Sequence, residues 1–510
     1  MRVLSPSAGF AVTGTAAPTY WLTRWCILRL LGLVYAVAFL VAINQLLPLI
    51  GSDGLLPLSL YFDRVAAALG TKTAGCFRLP SLFWFSPSNS TLMLVSWTGF
   101  LLSLLAICGY TNAIILLLLW ILYMSIVNAG QEWYGYGWEI QLLETGFLAI
   151  FLCPLTDMRP FPRRPPPFAI IVLFRWLICR IMLGAGLIKL RGDEAWRNGT
   201  ALYYHFETQP LPGPLSRWLH FLPKTILRMG VWYNFLAELL APLLVFWPRV
   251  ARHIAGILIV VLQLILILSG NLSFLNWLTL VPAIACFDDG ALRRVLPRKL
   301  AGKAAAAATT AEMSRPMVTV SLIVTCLVAV LSIAPVVNLL SPGQVMNTSF
   351  DRLNLVNTYG AFGSVGRERM NIVFEGTTDR DATDSAHWIP YVYKGLPVLP
   401  ENPPPQVAPY QLRFDWQMWF AAMGSVEDYP WTLNLVYKLL QNNPSAASLF
   451  ANRPFTTAPP RYIRAVLYRY SFVPPGNGDN LYWKREKIGE WLPPMSLESP
   501  LLLQYQHENK

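Results

Sequence analysis

The chain has 510 residues, 54% of them hydrophobic and only 13% charged, with a formal net charge of +12 and a mean hydropathy of +0.42. Soluble domains carry about 25% charged residues, so this composition excludes an ordinary soluble enzyme. The positive balance reads as lysine and arginine anchored at anionic lipid headgroups, which makes membrane lipids an expected partner and nucleic acid an unexpected one.

A helix that crosses a bilayer needs about 20 mostly apolar residues. Nine segments read as spans: 27–50, 91–110, 113–130, 138–155, 168–190, 231–247, 254–270, 272–287 and 317–340. The fourth carries Glu139, Gln141 and Glu144, and the eighth is short, so these two are also compatible with re-entrant segments. The first apolar run begins late, is long and lacks a small-residue cleavage pattern after it, which predicts an uncleaved N-terminus. With that end inside, the inner loops hold Arg159, Arg163 and Arg164, then Arg249 and Arg252, then Arg293, Arg294, Arg298, Lys299, Lys303 and Arg315. The turns at 131–137 and 269–271 hold no lysine or arginine, the asymmetry of the positive-inside rule. After nine crossings the remainder of the chain lies outside the cytoplasm. The alanine-rich stretch 301–310 reads as a flexible or partly helical tether.

Charge inside hydrocarbon is the main functional signal. The fifth span contains Arg175 and Arg180 and ends in Gly184-Ala-Gly-Leu-Ile-Lys-Leu-Arg191. A cation at a helix centre costs about 2.5 to 3.5 kcal/mol on insertion scales, so these groups are expected to face protein or acidic partners. Gln141 and Glu144 share one helical face, as do Asn234 and Glu238 in the sixth span. Together with Glu139 they form an expected intramembrane polar cluster that neutralises Arg175 and Arg180 and holds the bundle together. Lys189 is expected either to reach the interface or to pair with an acid, Glu139 being placed at the same depth. A desolvated lysine can also serve as a base.

Cys76 is the one cysteine of an outer loop, and no Cys-x-x-Cys occurs. His205 and Glu207 stand in the loop 191–230 with His220, without a third ligand at suitable spacing. Neither a metal nor another cofactor is expected. Asn89, Asn198, Asn271 and Asn347 begin glycosylation sequons, all on the side read as outer.

From residue 341 charge returns and apolar runs shorten. Stretches 369–375, 388–394 and 462–470 alternate as half-buried strands do, and 431–440 and 446–451 read as helices. The expected architecture is an α-helical polytopic membrane bundle over 1–340 and one β-rich extracytoplasmic domain of sandwich type over 341–510. The proline cluster 400–409 is an extended connection. Trp416, Trp419 and Phe420 alternate with Arg413, Asp415 and Gln417. Those aromatics left exposed would offer a patch for an incompletely folded client.

Six strings carry a resemblance: Ile50-Gly-Ser-Asp-Gly-Leu-Leu-Pro57, Gln141-Leu-Leu-Glu-Thr-Gly-Phe-Leu148, Tyr204-His-Phe-Glu-Thr-Gln-Pro-Leu-Pro212, Leu355-Val-Asn-Thr-Tyr-Gly-Ala-Phe-Gly363, Leu412-Arg-Phe-Asp-Trp-Gln-Met-Trp-Phe-Ala-Ala422 and Arg461-Tyr-Ile-Arg-Ala-Val-Leu-Tyr468. In this order, across residues 21–497, they resemble the lipase maturation factor family. The resemblance implies a multi-pass membrane protein, of the endoplasmic reticulum in animals and of the inner membrane in bacteria. Its implied role is to help dimeric lipases such as lipoprotein lipase reach a folded, active state, with a secreted lipase as the implied client. The membrane half is more distantly similar to vitamin K-dependent γ-carboxylases. That similarity rests on Ile188-Lys-Leu190, Trp196, Gly199 and Tyr203-Tyr204, and it implies a catalytic base at Lys189. The loop Gln131-Glu-Trp-Tyr-Gly-Tyr-Gly137 lacks the histidine those enzymes have there. The leading expectation is therefore a maturation factor, with an enzyme acting through Lys189 on a lipid-soluble or secreted substrate as the alternative.

Overall fold

The computed structural model of the chain describes residues 18–312, 314–476 and 480–508; the expectation about the extreme N-terminus, 1–17, lies outside the described residues. The membrane half is built from α1 (Trp21–Ile50), α2 (Asn89–Cys108), α3 (Ala113–Ala129), α4 (Gly137–Ile150), α5 (Phe168–Arg191), α6 (Lys224–Phe235), α7 (Arg249–Ser269), α8 (Leu275–Ala283) and α9 (Arg315–Leu340). Five of these, α1, α2, α5, α7 and α9, are long and apolar enough to cross a membrane. The third expected span forms the shorter apolar helix α3, and the eighth forms α8 with the short turn that extends it to Cys286. The fourth forms a helix of only 14 residues, about 21 Å long against a hydrocarbon core of about 30 Å.

Local chemistry sets several of these boundaries. Ser88 and Asn112 accept hydrogen bonds from the backbone N–H groups of Thr91 (3.2 Å) and Ile115 (2.9 Å) and so cap α2 and α3. Gly109, at φ 100°, ends α2 in the left-handed conformation that costs glycine nothing. The sixth expected span is interrupted: after α6 the chain makes a π turn over Leu236–Leu240 before Ala241–Leu244 resumes the α-helix. One extra residue in that turn re-aims its side chains, a device frequent at functional positions. The alanine-rich tether, up to its last residue, lies within a helix, Arg298–Thr309, which Thr310 ends.

The C-terminal region carries one antiparallel sheet of four strands, β1 (Arg369–Thr377), β2 (Ile389–Pro390), β3 (Tyr462–Phe472) and β4 (Trp483–Met495), in the order β2-β1-β3-β4. The expected sandwich is corrected here: among the described residues this is the only sheet of named strands. Its second layer is helical, supplied by α10 (Arg413–Ala421) and α11 (Trp431–Leu440). The expected alternation at 413–420 is thus a helix that buries Trp416 and leaves Trp419 half-buried. The strand expected over 388–394 shrinks to two paired residues. β4 has no counterpart among the expected strands because its exposed edge is rich in Lys484, Arg485, Glu486 and Lys487, a pattern that protects an edge from further pairing and hides the period of two.

The two regions share one core. Gln45 of α1 donates to the carbonyl of Gln411 (2.6 Å) and accepts from the N–H of Arg413 (2.9 Å). Arg369 of β1 donates to the carbonyls of Gln209 (2.6 Å) and Pro210 (2.9 Å). Glu207 accepts from the N–H of Phe472 (2.6 Å), which fixes β3 to the loop 191–230. Asn271 is buried, accepting from Val407 and Ala408 and donating to Pro212 and Pro405. Its sequon is therefore closed in the folded chain, whereas Asn89, Asn198 and Asn347 are exposed.

Candidate functional site

The polar residues inside the bundle sort into separate buried groups rather than one cluster. On α4 and α5, Glu144 and Arg180 form an ion pair whose side chains are 1% and 2% exposed. Glu144 also accepts from the N–H of Asn357 (3.0 Å) and the hydroxyl of Tyr359 (2.6 Å), while Arg180 donates to the carbonyl of Asn357 (2.7 Å). The segment 355–363 can come this close because Gly184 faces it: a Cβ there would stand 2.2 Å from the carbonyl oxygen of Tyr359.

Lys189, at the end of α5, is buried and pairs with Glu238 at 2.5 Å, not with Glu139. Asn234 lies 3.4 Å from its ammonium and donates to the second oxygen of Glu238 (2.8 Å). The ring of Trp196 lies 4.9 Å from the same ammonium. The π turn is what points Glu238 at α5, and Gly186 leaves room for it: a Cβ there would meet Glu238 at 3.0 Å.

Glu139, at the start of α4, faces the C-terminal region instead. It pairs with Arg413 of α10 at 2.8 Å, both side chains fully buried, and accepts from the hydroxyl of Tyr123. Arg413 also donates to the carbonyl of Trp133 (2.7 Å). Arg175 meets no acid among the described residues; the expected neutralisation is replaced by the carbonyl of Ala285 (2.8 Å), the Tyr20 hydroxyl (2.9 Å) and the Tyr20 and Phe168 rings. Oxygen lone pairs and ring faces are sufficient partners for one guanidinium that stays in place.

Between these groups lies a cavity of about 430 Å³. Gln141 of α4, Ile181, Met182 and Ala185 of α5, Glu238, Gln263 and Leu266 of α7, and Asn276 and Thr279 of α8 line it, together with His205, Phe362 and the aromatics of α10. His205 sits in the short helix Leu202–Thr208, against Phe206 and Phe362. Burial, reinforced by the charge of Lys189, pulls its pKa down to about 4, so the imidazole is neutral near pH 7. Trp416 is buried against Tyr136 and Trp138, which removes it from any exposed client patch. Trp419 and Phe420 are half-buried on the cavity wall, and the Trp419 indole donates to the carbonyl of Thr208 (3.1 Å). Among the described residues no three His, Cys, Asp or Glu side chains stand together as metal ligands.

Residue-level reasoning from the sequence did not single out Asn357, Tyr359, Tyr123 or Arg413 as partners. The strings 355–363 and 412–422 contain three of them, yet nothing in a string says which distant acid a tyrosine or arginine will meet.

The fold and its interior define a multi-pass membrane protein whose C-terminal sheet region is docked through buried ion pairs over an amphipathic cavity. The lipase maturation factor transmembrane domain model matches residues 22–294, and the lipase maturation factor C-terminal domain model matches 355–493. Lipase maturation factor 1 of Bos taurus is 44% identical over 94% of this chain and 90% of its own length, and that of Homo sapiens is 42% identical over 97% and 92%. Lipase maturation factor 2 of Homo sapiens is 29% identical over 94% and 84%. The chain belongs to the lipase maturation factor family. No solved structure matches it. These relatives lend no support to the carboxylase alternative.

Proposed function

We propose that this chain is a membrane-embedded maturation factor that assists folding and assembly of a secreted lipase. The observation that carries the reading is the 44% identity to a lipase maturation factor across nine-tenths of both chains, with both family domains matched in order. In a eukaryotic host the membrane is that of the endoplasmic reticulum, and in a bacterial host the inner membrane. The chain crosses it nine times, with the short helices α3, α4 and α8 and the interrupted sixth span completing the bundle, and residues 341–510 form a domain on the non-cytoplasmic side. Lys189 and Glu238 act as structural charges within the bundle, and the Glu144 and Glu139 pairs hold this domain to it. Trp419 and Phe420, at the junction of the two, are the aromatics available to an incompletely folded client.

The test is rescue. The full chain is expressed in cells that lack their own maturation factor and that produce a dimeric secreted lipase. Recovery of secreted, dimeric, active lipase is the expected result. Correct membrane insertion with lipase left aggregated and inactive overturns the proposal.

A further inference from the structure

The cavity of about 430 Å³ is of the size that encloses one small molecule of some tens of atoms. Its walls have two characters. Ile181, Met182, Ala185 and Leu266, contributed by membrane-spanning helices, are apolar, and Trp419 and Phe420 continue that surface into the C-terminal region. Three buried polar side chains interrupt it with hydrogen-bonding capacity that the described residues leave unused. Gln141 donates through its amide nitrogen to Thr279 (3.1 Å) and Asn276 donates to Gln263 (2.8 Å), so the side-chain oxygen of each is a free acceptor. The His205 imidazole makes ring contacts but no hydrogen bond, and a neutral imidazole offers one donor and one acceptor. All three residues are at least nine-tenths buried.

Charge restricts the occupant further. Glu238, on the wall, is already matched by Lys189 and Asn234, and Glu368 is held by Arg469 at 2.8 Å. An ionised headgroup would enter an apolar space with no opposite charge to meet it. Free acceptors call for hydroxyl donors. A peptide segment would bring a backbone donor and acceptor with every residue, far more than three side chains can satisfy. From this geometry we propose that the cavity binds an uncharged, hydroxyl-bearing lipid with one acyl chain, of the monoacylglycerol class, with the chain against α5 and α7 and the hydroxyls on His205, Asn276 and Gln141. This inference concerns a ligand of the chain itself and stands whether or not the client is a lipase.

The experiment uses the full chain in phosphatidylcholine nanodiscs with a monoacylglycerol carrying a photoreactive diazirine on its acyl chain, the labelled residues being mapped by peptide mass spectrometry. Saturable labelling of α5 near Met182 and of 419–423 is expected, displaced by unlabelled monooleoylglycerol but not by oleate or an apolar peptide. Ala185→Phe, which fills the cavity, should lower labelling about tenfold or more. His205→Phe, which keeps a ring and removes both nitrogens, should weaken it about fivefold to tenfold. Thermal unfolding identifies a variant that does not fold, and the competition on the unaltered chain then decides. Labelling confined to lipid-facing helices, displacement by oleate as effective as by monooleoylglycerol, displacement by the peptide, or unchanged labelling in both folded variants overturns the proposal.

Discussion

At the residue scale, the buried charges are best understood by what removing one partner would strand. Glu144 satisfies Arg180, the N–H of Asn357 and the hydroxyl of Tyr359 at once. Glu144→Ala leaves an unmatched guanidinium in the bundle, a loss of about 3 to 5 kcal/mol for a buried pair broken on one side. The expected outcome is a large fall in folded, membrane-inserted protein, measured by detergent-extracted monodisperse yield. Adding Arg180→Leu to Glu144→Ala should recover part of that yield, because the stranded cation is the costly species. Recovery will be incomplete, since Tyr359 and Asn357 keep unmet donors. Equal yields for the single and double variants would show that the pair is not the determinant.

At the scale of single elements, Asp415 ties the first turn of α10 to the loop before it. One carboxylate oxygen accepts from the N–H groups of Gly395 (2.7 Å) and Leu396 (3.1 Å). Burial raises its pKa to about 6, against the lowering influence of those two hydrogen bonds. A carboxyl group whose folded pKa lies above the unfolded value of about 3.9 contributes stability that is full below about pH 4 and lost as pH rises through about 6. Asp193 behaves in the opposite sense: Arg367, bonded to its carboxylate at 2.8 Å, holds its pKa down to about 2. Its contribution is present above about pH 4 and lost only in strong acid, outside the window in which Asp415 acts. His205, held neutral by burial, pulls stability the opposite way over the same window, so the Asp415 contribution is read as a difference: the Tm of the purified chain relative to that of Asp415→Asn, which keeps an acceptor for both N–H groups, should rise between about pH 7 and 5. An unchanged slope in the variant would assign the pH dependence to another group.

At the scale of the whole molecule, membrane half and C-terminal region are joined by the fully buried pair Glu139–Arg413, the Gln45 bonds and the Arg369 bonds. Topology can be read through the sequons. If the chain crosses the membrane as proposed, Asn89, Asn198 and Asn347 meet the glycosylation machinery in the folded protein, whereas Asn271 is sequestered by Pro405, Val407 and Ala408. In a eukaryotic host, glycosidase-sensitive mass shifts lost on Asn89→Gln, Asn198→Gln and Asn347→Gln, and unaffected by Asn271→Gln, are expected. No shift at any of the three exposed sites would reverse the orientation.

By itself, the sequence determined the membrane character, the family and the approximate place of every major apolar helix, because these depend on composition, run length and short local strings. It also determined which residues had to be unusual: Glu144, Arg180, Lys189 and Glu238 are charges in apolar runs, and hydrocarbon makes any such charge a signal. Their pairing was decided only by tertiary structure. Glu139 was expected beside Lys189 on grounds of depth, but partner choice depends on helix rotation and on the π turn at Leu236–Leu240, neither of which leaves a periodic trace. The tryptophan-rich stretch at 413–421 was legible as amphipathic, yet its period and its buried face were set by packing against Tyr136 and Trp138. The cavity was invisible in the sequence for the same reason: it is the space left where α5, α7, α8 and α10 fail to meet, and a void has no residues of its own.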